Sequence, residues 1–261
     1  MNNITSRTAG IRAEDCYFYH TCEIPGFGLV TGEWDLRGHE SEYLGGVSFN
    51  GKSVLEVGPA SGYLSFWMED NGANVTAYDL DINRKWDFVP FHDVDLSHFN
   101  KERRSHLERM NNSWRFIHDA RSSKARLVYG SVYDINPSLG LFDVVTMSSM
   151  LLHVRDPFMA IERAASVAKK TMVITEVHQD QLLGNKVGIS SEPALYLMPR
   201  ALTRTPLDAW WIIPSTLTVE ILNILGFTDT TVIRHNQKFK DGHVWQFYTV
   251  VGHRHDQPVS Y

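Results

Sequence analysis

The chain has 261 residues, 43% hydrophobic and 21% charged, enough apolar material for one globular domain with a sizeable core. A formal net charge of -5 argues against a nucleic-acid or anionic-membrane partner, and no apolar run approaches the length of a membrane span. Cys16 and Cys22 offer no disulfide framework, and "MNNITSRTAG" lacks the apolar stretch of a signal peptide, so a reducing cytoplasm is the expected setting.

Residues 1–47, rich in aromatics and glycines, read as a cap that precedes the main domain, 48–261. "SVLEVG" (53–58) is a short apolar run ending in glycine, a buried strand. "GYLSFWMEDNG" (62–72) has helical spacing, and "ANVTAYDLD" (73–81) is a second strand ending in carboxylates. "ARLVYGSVYDI" (125–135) opens a third strand and "LFDVVTMSSM" (141–150) a fourth. "DPFMAIERAASVAKK" (156–170) predicts a helix capped by Asp156, with Pro157 in its first turn and Lys169 and Lys170 at its negative end. "TMVITEV" (171–177) is a fifth strand, and "PSTLTVEILNILGF" (214–227) a further helix. "DTTVIRH" (229–235) and "HVWQFYTVVGH" (243–253) predict a closing hairpin. This alternation implies an α/β fold: a doubly wound, Rossmann-like seven-stranded sheet, mostly parallel, with an antiparallel C-terminal hairpin. Residues 82–124 and 178–213 exceed what simple crossovers need and read as lid insertions.

In an open sheet of this kind the ligand sits outside the carboxyl ends of the strands, so the turn after the first strand lines the site. That turn reads Gly58, Pro59, Ala60, Ser61, Gly62. A dinucleotide site would present bare amides through G-x-G-x-x-G. Two glycines of that pattern are missing, and Glu56 places a negative charge before the turn. This disfavours a phosphate ligand and an NAD-dependent dehydrogenase. It suits a ligand with a cationic amino group, such as S-adenosylmethionine (SAM), whose ribose diol would meet Asp79, 21 residues after Gly58.

"VLEVGPASG", with Asp79 and the "FDVV" of the fourth strand, resembles motif I and its partners in class I SAM-dependent methyltransferases. The resemblance implies SAM as cofactor, with Glu56, Gly58, Pro59, Ala60 and Gly62 along its methionine and ribose part, Asp79 on the ribose and Leu80 against adenine. It also implies Ser131, Val132 and Tyr133 at the adenine edge, and Met147 and Ser148 near the sulfonium. "GLVTGEWD", "LLHVRDP" and "WWIIPSTLTVEILNILGF" resemble a narrower branch, the tRNA wobble-uridine carboxymethyltransferases, which use carboxy-SAM. Leu152 stands where that branch has a tyrosine, and no Lys or Arg lies between Arg12 and Arg37. The extra carboxylate of carboxy-SAM needs a cation or donors, so the residues favour ordinary SAM.

The expected function is methyl transfer to oxygen or nitrogen of a small molecule or saccharide. The alternatives are a tRNA-modifying enzyme and a non-catalytic binding protein of the same fold. If the acceptor must lose a proton, the candidate bases are His153, His92 and His20, because histidine titrates near neutrality. His153 is also readable as a structural histidine of the "RDP" loop. Trp34 reads either as a wall beside the sulfonium, through a cation–π contact, or as a core aromatic. Trp86 and Phe91, with Phe88, read as an acceptor wall or as lid packing. Residues 101–126 carry eight basic side chains against three acids, either a phosphate- or RNA-facing surface or the solvated face of a long helix. No histidine spacing predicts a metal site.

Overall fold

A computed structural model describes residues 10–183 and 192–255. The first nine residues of the cap, part of the 178–213 segment and the last six residues lie outside the described set.

The chain begins with a small hairpin, β1 (Cys22–Ile24) and β2 (Gly28–Val30), then β3 (Trp34–Asp35) and α1 (Glu40–Tyr43). The α/β part follows: β4 (Ser53–Val57), α2 (Tyr63–Asp70), β5 (Asn74–Leu80), α3 (Ser97–Arg121), β6 (Arg126–Gly130), β7 (Phe142–Ser148), α4 (Pro157–Ala165) and β8 (Ala168–Val177). Then come α5 (Gln179–Leu183), the two-residue strands β9 (Tyr196–Leu197) and β10 (Trp211–Ile212), α6 (Ser215–Ile224), β11 (Asp229–Phe239) and β12 (Val244–His253).

The main sheet runs β3-β11-β12-β8-β7-β4-β5-β6. Its five strands from β8 to β6 are mutually parallel, and β11 and β12 add the antiparallel pair. The expected seven strands are present, and the short β3 pairs with β11 as an eighth.

Strands buried on both faces must be apolar on both, and they are. In β4, Leu55 and Val57 face a core shared with α4 and α6, through Ala160, Ile161, Ala164, Ile221 and Leu222. Val54 faces the opposite core, with Leu64 and Phe66 of α2, Trp114 and Ile117 of α3, and Leu36, Tyr43 and Phe49 of the N-terminal segment. In α3 the buried residues Leu107, Asn111, Trp114 and Ile117 recur at three- and four-residue spacing, the stripe of a helix laid on a sheet. Most of the 82–124 segment is therefore the crossover helix between β5 and β6.

Two element boundaries depart from the sequence reading. Asp156 does cap α4, accepting from the Met159 N–H at 2.9 Å, but the helix stops at Ala165. Val167 and Ala168 are fully buried, and the Val167 carbonyl accepts from the Phe142 N–H at 2.8 Å, so the chain has already joined the sheet. Lys169 is a strand residue whose ammonium sits 3.2 Å from Asp143. The hairpin is also longer, since β11 continues to Phe239. "HNQKF" looks like a polar loop because its inward positions, His235 and Gln237, are polar yet buried.

Among the described residues no helix is long and apolar enough to cross a membrane.

Candidate active site

β4 ends level with β5 on one side and β7 on the other, in the registers Val57↔Tyr78 and Val57↔Met147. The connections from these strands leave toward opposite faces, which opens a crevice at their carboxyl ends. A cavity of about 800 Å³ lies there, within the size range of ligand sites.

The turn after β4 forms its floor. Gly58 and Gly62 have φ of +77° and +90°, a region that favours glycine. Gly58 also donates its N–H to Tyr78 at 2.9 Å, which ties the turn to β5. Ala60, at φ +50°, holds the same hand without a glycine, a strained choice of the kind found at ligand sites.

Glu56 points to the α2 and α3 side of the sheet and is 2% exposed. The Ser65 hydroxyl donates to it, and Ser65 in turn accepts the Trp114 indole N–H at 3.1 Å. Burial, reinforced by the negative charge of Asp79, pushes the Glu56 carboxyl up to about 7. Asp79 accepts the Leu80 N–H at 2.8 Å. It faces the cavity but is shielded from bulk water, and that desolvation raises it to about 6. Two carboxylates thus line one cavity, and among the described residues neither has a basic partner. A cationic amine and a pair of hydroxyls are the groups that would satisfy them.

The N-terminal segment closes one side. Ser61, in the glycine turn and fully buried, accepts from the N–H groups of Tyr19 and His20, both at 3.2 Å. Tyr17 donates its N–H to Ser113 of α3 at 2.8 Å. These bonds hold Tyr17, Tyr19, His20, Glu33 and Trp34 along the cavity. The Trp34 indole donates to the Tyr19 hydroxyl at 3.2 Å, and the Tyr17 hydroxyl donates to Glu33. His20 is buried, its Nδ1 has no partner among the described residues, and burial lowers it to about 4. It is therefore a neutral imidazole at pH 7.

The opposite side is built from three loops stitched together. Val89 donates its N–H to Leu207 at 2.8 Å and Trp210 donates its N–H to Leu152 at 2.7 Å. The Trp210 indole donates to the Asp87 carbonyl at 2.6 Å. These bonds place Trp86 and His153 on the cavity wall. His153 contacts the Asp208 carbonyl through Nδ1 at 2.5 Å, and burial lowers its pKa against the opposing pull of that bond.

Of the residues singled out in the sequence, the cavity brings together His20, Trp34, Glu56, Gly58, Pro59, Ala60, Asp79, Leu80, Trp86, Ser131, Val132, Tyr133, Ser148 and His153. Five are placed elsewhere, Phe88 among them as a buried residue off the cavity wall. Gly62 sits beneath the cavity at the start of α2, where an added Cβ would fall 2.6 Å from both Phe66 and Trp114. Met147 is fully buried in the sheet core, because side chains alternate along β7 and its neighbour Ser148 takes the open side. Phe91 lies outside the cavity wall, and His92 beside it has a side chain 90% exposed and 3.7 Å from Asp93. That exposure leaves His92 no way to meet a buried acceptor.

The sequence reading missed Tyr17, Tyr19, Tyr43, Arg103, His106, Trp245 and Phe247, all on the cavity wall. The only available signal was the aromatic density of the cap. The basic run of α3 is largely turned onto the protein: Arg103 pairs with Asp208, Arg121 with Asp70, Arg109 donates to the Cys16 carbonyl at 2.8 Å and Arg115 to the Tyr129 hydroxyl at 2.8 Å. Among the described residues no group of three or more His, Cys, Asp or Glu is placed to hold a metal ion.

A methyltransferase-domain family matches residues 37–245 of the chain. Among solved structures, the N-terminal domain of EvdMO1 in the presence of SAH and D-fucose is similar at a TM-score of 0.57 and 16% identity, with 93% of each chain covered. The same domain with SAH bound gives a TM-score of 0.59 at 16% identity and the same coverage. A putative S-adenosylmethionine-dependent methyltransferase from Listeria monocytogenes gives 0.53 at 15% identity, covering 83% of this chain and 98% of that one. At these identities the likeness is one of fold. No curated protein sequence matches the chain.

Proposed function

The chain belongs to the methyltransferase-domain family, and from that premise we propose that it moves the methyl group of SAM to an oxygen or nitrogen of a small-molecule or saccharide acceptor, with His153 taking the acceptor's proton. The observation that carries this reading is the pair Glu56 and Asp79, desolvated acids without a basic partner among the described residues, at the ends of adjacent parallel strands.

The residues fit the cofactor. Glu56 would hold its ammonium and Asp79 its ribose diol. Leu80, Val132 and Tyr133 offer an apolar slot for adenine beside them, and Ser131 and Ser148 add hydroxyls. SAM, when bound, supplies a methyl group already activated on a sulfonium. What remains for the chain is mainly to orient the acceptor and to exclude water. Holding the acceptor in near-attack geometry supplies roughly 7–11 kcal/mol. The aromatic walls from Tyr19, Trp34 and Trp86 serve that role. A carbonyl can only accept, so the His153 Nδ1 carries the proton and donates it to Asp208, while Nε2 keeps the lone pair that a base needs.

The aromatic rings of the cavity wall support a saccharide as acceptor, since rings stack on apolar sugar faces. The structural relative solved in the presence of D-fucose makes deoxyhexoses a sensible part of any acceptor panel. The wobble-uridine reading has less support: it needs a free cation for carboxy-SAM and a basic surface for tRNA. Arg103 and Arg84 on the cavity wall are engaged by Asp208 and Asp134, which leaves Lys85 as the cation that a carboxy-SAM carboxylate would have to reach.

Titration calorimetry with SAM, carboxy-SAM and NAD tests the cofactor, and labelled-methyl incorporation into a panel of sugars, phenols, amines and tRNA tests the acceptor. SAM binding that weakens in both Glu56→Gln and Asp79→Asn is the expected result. No binding of SAM, or binding indifferent to both substitutions, overturns the reading.

A further inference from the structure

Four residues from four segments form a closed ring at the cavity wall, which Trp86, Arg103 and His153 line. His153, in the loop after β7, donates Nδ1–H to the backbone carbonyl of Asp208 at 2.5 Å. The Asp208 carboxylate is paired with Arg103 of α3. The Arg103 guanidinium lies over the Trp86 ring, 4.5 Å from its centroid. Trp86 closes the ring, meeting the His153 imidazole edge-on with centroids 5.5 Å apart.

We propose that Arg103 is the positioning residue for His153: by clasping Asp208 from α3 it fixes the carbonyl that selects the His153 tautomer, so that the Nε2 lone pair faces the cavity only while the 205–212 segment is docked. The proposal rests on the reading of His153 as the acceptor's base.

The geometry supports it in three ways. Asp208 uses two different groups for two partners, its carboxylate for Arg103 and its carbonyl for His153, so one residue transmits the position of α3 to the imidazole. The chain around Asp208 bonds to the loops at 84–96 and 150–156, and Arg103 adds an ion-paired tie to a long, sheet-packed helix. A planar guanidinium can pair with a carboxylate in its plane while stacking on an indole face, which an ammonium cannot do. The charged groups around the imidazole are Arg103 and His106 from α3, Arg84, Lys85 and Asp87 from the loop after β5, Asp208, and Arg155 on its own loop. Arg84 pairs with Asp134, and Asp87 accepts from the Tyr133 hydroxyl and the Arg155 N–H. Of these, Asp208 and Arg103 are the charges that act on His153.

Nitrogen-15 NMR of histidine side chains in the full chain, titrated with pH, tests this without any acceptor. The wild-type His153 is expected as the single Nδ1–H tautomer. Arg103→Gln removes a cation and frees the Asp208 carboxylate, so His153 should titrate at higher pH and lose its single-tautomer signature. Asp208→Asn removes the carboxylate and leaves the cation, so the titration should move to lower pH. Arg103→Lys should restore the direction of the wild-type titration but not the full tautomer preference. Thermal melts confirm that each variant is folded, and Arg103→Lys serves where Arg103→Gln is not. Opposite shifts in the Gln and Asn variants together with loss of the single tautomer in Arg103→Gln support the proposal; an unchanged tautomer, an unchanged titration or shifts of the same sign overturn it. Loss of methyl transfer in His153→Gln is a separate test of the base reading, so the two failures are distinguishable.

Discussion

Glu56→Gln should make the ligand-free protein more stable while weakening its hold on SAM, and the size of the first effect depends on pH in a defined way. Burial and Asp79 raise the Glu56 carboxyl from an ordinary value of 4.5 to about 7. The native state therefore holds a proton that the unfolded chain has released between these two values. Wild-type stability is intact below pH 4.5, falls as pH rises through this window, and carries the whole penalty above about 7. At about 1.4 kcal/mol per tenfold, the penalty is about 1 kcal/mol at pH 5 and about 3 kcal/mol at pH 8. Glutamine stays neutral and still accepts the Ser65 hydroxyl that Glu56 accepts now, so it escapes the penalty. Calorimetric melts should show Glu56→Gln close to wild type at pH 5 and roughly 6–12 °C higher at pH 8. With SAM the order reverses, since a charge-assisted bond of about 1.5–3 kcal/mol is lost and affinity should fall roughly ten- to hundredfold. Equal gains at both pH values, or no gain at pH 8, would show that Glu56 is not an uncompensated buried acid and would remove the physical basis for the site.

His153→Gln should lower the methyl-transfer rate by roughly 10²–10⁴ for an acceptor that must lose a proton while SAM affinity, by calorimetry, changes little; a rate within twofold of wild type would exclude His153 as base. SAM affinity should weaken as pH falls from 8 to 5, because Glu56 and Asp79 take up protons near 7 and 6 and the ligand favours their ionised forms. Titrations near pH 6 in buffers of different ionisation enthalpy should therefore report proton release, and a binding enthalpy independent of buffer would contradict this. Glu176 is buried, accepts the Leu151 N–H at 2.8 Å and is raised by desolvation to about 8. Glu176→Gln should thus flatten the loss of wild-type stability as pH rises from 4.5 to 8, and melts that run parallel for the two proteins across that window would refute it.

The half of the cavity proposed for the cofactor was legible because its parts are local. A strand, its turn and the acid that ends the next strand lie within one βαβ unit, so Glu56, Gly58 and Asp79 could be read from spacing. Errors there came from side-chain direction. Met147 and Ser148 both sat in the right place along the chain, but period-two alternation sends only Ser148 to the cavity. Gly62 belongs to the expected turn but does not line the cavity. Its missing Cβ makes room for Phe66 and Trp114, the indole that holds Ser65 against Glu56.

The acceptor half was illegible for the opposite reason. Its wall is assembled from segments far apart in the chain, joined by bonds that carry no local pattern, such as Tyr17 to Ser113, Tyr19 to Ser61 and His153 to Asp208. His92 and His153 are indistinguishable as letters. One lies on an exposed loop and the other is held by a carbonyl 55 residues away. A basic stretch likewise says nothing of its partners: Arg103 reads as part of a solvated helix face until Asp208 and Trp86 are brought against it. The same separation divides the cavity into a fixed part and a replaceable one. The acids proposed to meet the cofactor belong to the central strands, where any shift would disturb both cores. The residues that would meet the acceptor belong to the cap, the loops and one helix, which can be rebuilt without moving Glu56 or Asp79.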